Sequence, residues 1–147
     1  MKQNRSMPPG TFIPELAYPD VGTAAAWLRD AFGFSERVRI GNHRIQMTFG
    51  DGSIVVVESD RSSKCSTMVR VDDVDAHHAH AQQHGATILA VPETHMFGER
   101  QYTAEDPGGH TWRFSQSVTD VHPSKWGGEV VSDLALSIAE NRSPQRH

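Results

Sequence analysis

The stretch Gly98–Phe114, GERQYTAEDPGGHTWRF, decides how the chain is read. Tyr102 and Ala104 stand two apart before Asp106-Pro107-Gly108-Gly109, and Trp112 and Phe114 stand two apart after it. A period of two on both sides of a turn signal is the pattern of a hairpin with one apolar face. On that phase Glu99, Gln101 and Thr103 face the other side together with Arg113, although a slip of one residue would exchange the two sets. The hairpin is therefore expected to have an aromatic face under a helix and a polar face turned to a hollow or to solvent.

Upstream of the hairpin lie the other parts of one supersecondary unit. Ser66–Val71 reads as a strand, Asp73 can cap the helix VDAHHAHAQQH, Gly85 stops it, and Thr87–Val91 reads as the next strand. The first half follows the same plan. Thr11–Tyr18 (TFIPELAY) reads as a strand with Pro14 marking a sheet edge or strand start. Asp20 caps VGTAAAWLRDAF, in which Val21, Ala24, Ala25, Leu28 and Phe32 recur at helical spacing before Gly33. In SERVRIGNHRIQMTF, Val38 and Ile40 precede a Gly41-Asn42 turn, and Ile45, Met47 and Phe49 alternate with Gln46 and Thr48. Asp51-Gly52 then turns the chain into SIVVVES. Overlaying the capping aspartates Asp20 and Asp73, the stopping glycines Gly33 and Gly85, and the turns FGDGSIVVV and EDPGGHTWRF gives an offset of about 55 residues, the mark of a tandem duplication. The fold class is thus α+β, two βαβββ units at residues 11–60 and 65–116, preceded by a flexible arm at 1–10. A tail follows at 117–147, with a helix expected around Glu129–Ala139.

Composition narrows the function classes. A chain of 147 residues supports one domain or a pair of small modules, and its net charge is −4. Its 14 Lys and Arg form no basic stripe, so nucleic acid is not an expected partner. A single cysteine, Cys65, excludes an intrachain disulfide and a thiolate-rich zinc site, consistent with a reducing compartment. The opening MKQNRSMPPG has no apolar signal core and the longest apolar runs fall far short of a membrane span, so a cytoplasmic protein without membrane contact is expected.

Two units of this kind resemble the vicinal-oxygen-chelate superfamily of glyoxalase I, bleomycin-resistance proteins and extradiol dioxygenases. The resemblance rests on Tyr18-Pro19-Asp20, Trp27-Leu28, Phe32-Gly33-Phe34, Val71-Asp72-Asp73-Val74, and above all Asp106-Pro107-Gly108-Gly109-His110 followed by Trp112 and Phe114; it covers residues 11–116. It implies a curved half-barrel sheet with helices outside, a ligand cavity inside, and a homodimer. It also implies a metal held by His, Gln or Glu from the first and last strand of each unit, which would polarise substrate oxygens. Carried over residue by residue, those positions are Ile13 and Ser66, and Val56 and Arg113. None is a metal ligand, and a fixed cation at Arg113 opposes a divalent ion, so no metal and no cofactor are expected.

The candidate ligand-binding residues are Arg70, Arg113, Gln46 and Gln101 on the polar wall, where Arg37 and Arg39 are also expected, and Trp126 in the tail loop HPSKWGG. Glu15 and Glu99 are the candidate proton-transfer groups. Each has a plain structural alternative: Glu15 pairing with Arg70 or Arg113, Glu99 forming a rim pair with Arg100, and Trp126 capping its own domain. His77, His80 and His84 share a helix stripe that could ligate a metal, but a solvated stripe is the favoured reading, with His78 partly covered. His110 reads as a packed histidine at a strand start. The function expected is a metal-independent binder that sequesters a polar or carbonyl-bearing small molecule. The alternative is a glyoxalase-like lyase or isomerase acting on a carbonyl or enolisable compound, with Arg113 stabilising the oxyanion.

Overall fold

The computed structural model describes residues 4–60 and 64–130. Unit one runs β1 (Glu15–Tyr18), α1 (Val21–Trp27) continued by a π-helical turn (Leu28–Phe32), β2 (Ser35–Ile40), β3 (Arg44–Phe49) and β4 (Gly52–Glu58). Unit two runs β5 (Ser66–Arg70), α2 (Val74–Gln83), β6 (Thr87–Thr94), β7 (Glu99–Glu105) and β8 (Thr111–Ser117), and a short 3-10 turn, Pro123–Trp126, follows. Each unit makes its own four-stranded mixed sheet, β1-β4-β3-β2 and β5-β8-β7-β6, with the first strand parallel to the last. The sheets stay separate and form no closed barrel. The two tandem βαβββ units of an α+β protein are what the duplicated sequence pattern called for.

Both caps form as expected: the Asp20 side chain accepts from the Thr23 amide and Asp73 from the Ala76 amide. Gly33 ends the first helix at φ 89°, a conformation that costs a residue without Cβ nothing. Alternation does the rest. Ile45, Met47, Val56 and Leu16 of one sheet, and Tyr102, Ala104, Trp112 and Phe114 of the other, are buried. They join with Leu28, Phe32 and Phe34 in one core that spans the two units. Phe32 lies edge-on to Phe114 at 4.8 Å and to Trp112 at 5.6 Å. A shared aromatic core of this size makes the two units a single folding body.

Several local readings need correction. β1 starts at Glu15 rather than Thr11, and Phe12 ahead of it is 88% exposed. A bulge between Glu36 and Val38 shifts β2, so Val38 and Ile40 pair with Gln46 and Arg44 and leave the Ile45–Met47 face. Arg39 pairs with Ile45 and therefore leaves the polar side that was expected of it. The tail helix expected at Glu129–Ala139 falls, beyond Val130, outside the described residues. Within the arm expected to be flexible, Ser6 and Arg5 give their carbonyls to the side chains of Gln46 and Arg37 at 2.7 and 2.8 Å, and Pro8 is buried.

Candidate functional site

The polar faces of the two sheets differ. On unit one, Gln46 is buried under the arm: its amide nitrogen donates to the Ser6 carbonyl, and its oxygen accepts from Arg37 at 2.6 Å. Glu15 is on this face, as Leu16 packs inward, but it pairs with Arg44 at 3.0 Å rather than with Arg70 or Arg113. Its side chain is 59% exposed, so it is not enclosed in a pocket where it could reach a bound substrate.

On unit two Met68, Arg70 and Arg113 are exposed on the polar face, while Gln101 and Ser115 are buried. Cross-strand partners place Met68, Arg113, Thr103 and Ala90 in one row, and Arg70, Ser115, Gln101 and Glu93 in the next. The structure thus brings Arg70, Arg113, Gln101 and Glu99 onto one face, with Glu15 and Gln46 on the other sheet. Gln101 donates to Ser115 Oγ at 3.0 Å, and Ser115 donates on to Glu99 Oε1 at 2.7 Å. Arg70 donates to Ser117 Oγ at 2.9 Å. Glu99 does not pair with Arg100, whose guanidinium instead forks onto Asp75. Arg113 is exposed and has no hydrogen bond or ion pair among the described residues. A rigid strand thus presents an uncompensated guanidinium beside a fixed hydrogen-bonded network, an arrangement that favours carboxylate, phosphate or carbonyl oxygens.

The donor set does not fit a divalent metal. Val56 packs in the helix-side core, and the residue that shares Arg113's position by register is Val55, the partner of Glu15. With Ile13, Ser66 and Arg113 this leaves no imidazole or carboxylate at the four positions. Among the described residues no group of three or more His, Cys, Asp or Glu side chains is placed to hold a metal ion. The histidine stripe has another task. His77 Nε2 donates to the Phe32 carbonyl at 2.9 Å, which leaves Nδ1 to accept from Tyr102 Oη at 2.6 Å. Burial lowers the His77 pKa, in keeping with a neutral ring. His80 Nε2 bonds the Asp30 carbonyl at 2.8 Å. His77, half-buried rather than solvated, and His80, exposed as expected, staple α2 to the main chain of unit one. No local sequence signal marks such long-range bonds.

The quoted hairpin also packs against unit one. Asp106 Oδ2 accepts from Tyr18 Oη at 2.6 Å and Trp112 Nε1 at 2.9 Å, and its Oδ1 accepts from the Gly108 and His110 amides at 3.0 Å. Burial, then the Asp106 charge, raises the Tyr18 pKa, so its hydroxyl stays protonated. His110 accepts from the Cys65 amide through Nδ1 and donates to the Ala17 carbonyl through Nε2 at 2.7 Å. Trp126 stays 43% exposed and lies edge-on to Phe97 at 5.8 Å.

Next to this polar face a cleft of about 1200 Å³ runs between β5 and the β3–β4 turn. Thr67, Met68, Val69 and Arg70 line one side, Phe49 to Ile54 the other, and Phe34 and Trp112 the floor. Sequence reasoning missed it, because it arises from two elements far apart in the chain. No helix among the described residues is long and apolar enough to cross a membrane.

Known proteins agree with this geometry. The family model of the Glyoxalase/Bleomycin resistance protein/Dioxygenase superfamily matches residues 13–114. The crystal structure of TioX from Micromonospora sp. ML1 superposes with a TM-score of 0.68 at 29% identity, covering 74% of this chain and 99% of that one. A glyoxalase/bleomycin resistance protein/dioxygenase family enzyme from Burkholderia phytofirmans PsJN gives 0.64 at 20% identity, covering 72% and 97%. An uncharacterized protein of Mycobacterium bovis is 38% identical over 52 residues, 35% of this chain, and the match spans about a third (34%) of that relative's length. The chain belongs to the glyoxalase/bleomycin resistance protein/dioxygenase superfamily.

Proposed function

We propose that the protein binds a small molecule bearing carboxylate or carbonyl oxygens at the exposed arginines on the polar face of unit two, without a metal. The observation that carries this reading is Arg113: an exposed guanidinium without a partner among the described residues, at a family ligand position, in a row whose other members are Met68, Thr103 and Ala90. A cation there attracts electron-rich atoms itself and needs no ion. Arg70, anchored by Ser117, adds a second exposed guanidinium in the adjacent row, beside the buried Gln101–Ser115 pair that fixes Glu99. The binder reading is preferred to the enzyme reading because Glu15 is exposed and paired with Arg44, while Glu99 already accepts from Ser115. A homodimer is part of the proposal. Among the described residues β1 and β5 have no strand partner on their outer edges, and Met68, Leu89 and Val91 are exposed apolar side chains that a second copy would cover.

The test is calorimetric titration of untagged protein, in chelator, with a panel of aryl carboxylates and oxoacids. Saturable binding by at least one member, weakened about tenfold or more in Arg113→Ala, is expected. Binding that appears only with added zinc or nickel, or affinity unchanged in Arg113→Ala, contradicts the reading. Sedimentation velocity checks the dimer, and a monomer at tens of micromolar removes that part.

A further inference from the structure

The sheet faces turned away from the shared core carry matching rows. On unit two Met68, Arg113 and Thr103 lie side by side across β5, β8 and β7, and on unit one the same places hold Glu15, Val55 and Gln46. Met68 and Arg113 are exposed, whereas Val55 and Gln46 are buried, although Val55 is not part of the shared core. What lies on the unit-one row is the N-terminal arm. Gln46 Nε2 donates to the Ser6 carbonyl at 2.7 Å, Arg37 Nη2 donates to the Arg5 carbonyl at 2.8 Å, and Pro8 is buried two residues further on. Residues 4–10 belong to no strand, so two side chains read successive main-chain carbonyls as they would those of a separate molecule. A second observation shows that this fit is incomplete. Ser53 lies on the same face, two residues before Val55 and opposite Thr48. It is 6% exposed, and its hydroxyl has no hydrogen-bond partner among the described residues. A buried hydroxyl left unpaired weighs against the closed arrangement.

We infer that the arm is a displaceable strap, an internal stand-in that closes a groove on unit one for a peptide-like molecule with two successive amide carbonyls. Arg37 and Gln46 take the carbonyls, and a polar group of the ligand opposite Ser53 gives it an advantage that the arm lacks. The buried Pro8 adds a preference for proline two positions beyond the second carbonyl. Because it is tethered, the arm competes at an effective concentration on the order of millimolar, so the groove stays shut to weaker ligands. Gly10, at φ 107°, is the hinge on which the strap folds back. The groove is separate from the oxygen-bearing ligand assigned to Arg113.

The experiment uses the full chain and, as probe, the blocked peptide acetyl-NRSMPPG-amide, a copy of residues 4–10. The Ser6 and Met7 amides bond back to Asn4, so this peptide carries its own turn. Two variants release the strap without altering a groove residue: Pro8→Asp puts a charge where a proline is buried, and Gly10→Pro forbids the hinge conformation. Tryptic cleavage after Arg5 should be about tenfold faster in both than in the parent, with melting curves like the parent's. By calorimetry both should bind the peptide saturably, and the parent about tenfold more weakly. Adding Gln46→Leu to Gly10→Pro should abolish that binding, and adding Arg113→Ala should leave it unchanged, so the two ligand readings fail separately. Equal cleavage in parent and released variants, equal affinity, or no saturable binding to either released variant overturns the inference. A doubling of mass in sedimentation velocity on release also overturns it, because the groove would then be taking the arm of a second copy.

Discussion

The chain contains the same junction twice, and one copy is shut while the other is open. In the shut copy, the end of β1 meets the β7–β8 turn. Tyr18 donates to Asp106, His110 donates to Ala17, and the carboxylate of Asp106 is satisfied by four donors. In the open copy, the end of β5 meets the β3–β4 turn, and a cleft of about 1200 Å³ separates them. The difference lies in turn length and in one residue. Asp106 to His110 stand between the paired residues Glu105 and Thr111, whereas only Gly50 and Asp51 stand between Phe49 and Gly52. The longer turn reaches across to the neighbouring unit. The matched aspartates Asp20 and Asp73 place Val71 where unit one has Tyr18, so the open copy also lacks the hydroxyl that ties the junction together. One copy of the contact thus ties the two units together, while the other leaves a cleft between them.

Removing the same charge from both junctions should separate them most. Asp106→Asn leaves buried donors without an anion and should cost about 3 kcal/mol of unfolding free energy. Asp51→Asn should change it by less than about 0.5 kcal/mol. Urea melts of the two variants read both numbers, and similar losses in the two would mean that the junctions do not differ as described.

A methyl group tests the same contrast sterically. A Cβ on Gly108 would sit 2.5 Å from the Tyr18 ring, whereas one on Gly52 would meet only the Phe49 carbonyl at 3.4 Å. Gly108→Ala should therefore cost about 2 kcal/mol and Gly52→Ala less than about 1 kcal/mol, in the same urea melts. A smaller effect is expected from pH. The His77 pKa is lowered by burial, so the unfolded chain takes up a proton more readily than the folded one. The contribution of His77 is complete above the ordinary imidazole value of about 6.5 and is lost as pH falls below it toward the folded pKa. His77→Gln should flatten that part of the stability–pH curve, and an unchanged slope would remove His77 as its origin.

Much of the fold was legible because it is local. The period of two in QYTA and TWRF, the caps Asp20 and Asp73, and the stop at Gly33 each act within a few residues, and all appear in the structure. The phase of Arg113 opposite Trp112 and Phe114 follows from the same alternation, and the burial of those rings bears it out. What was not legible depends on contacts between distant segments. Arg44 takes Glu15, Ser6 covers Gln46, and Phe32 and Asp30 receive His77 and His80. A backbone carbonyl has no residue type, so no composition or spacing announces it as a partner. The bulge in β2, which moved Val38, Ile40 and Arg39 to other faces, is likewise an insertion that alternation cannot register.

In the proposed function the unit-two face needs no ion because Arg113 stands at a ligand position. Elemental analysis of untagged protein, paired with ligand titration before and after chelation, tests it most directly. The expected result is metal far below one equivalent per chain and an affinity that chelation does not change but Arg113→Ala reduces. Near-stoichiometric zinc, nickel or iron, with binding abolished by chelator and restored by the metal, would contradict it.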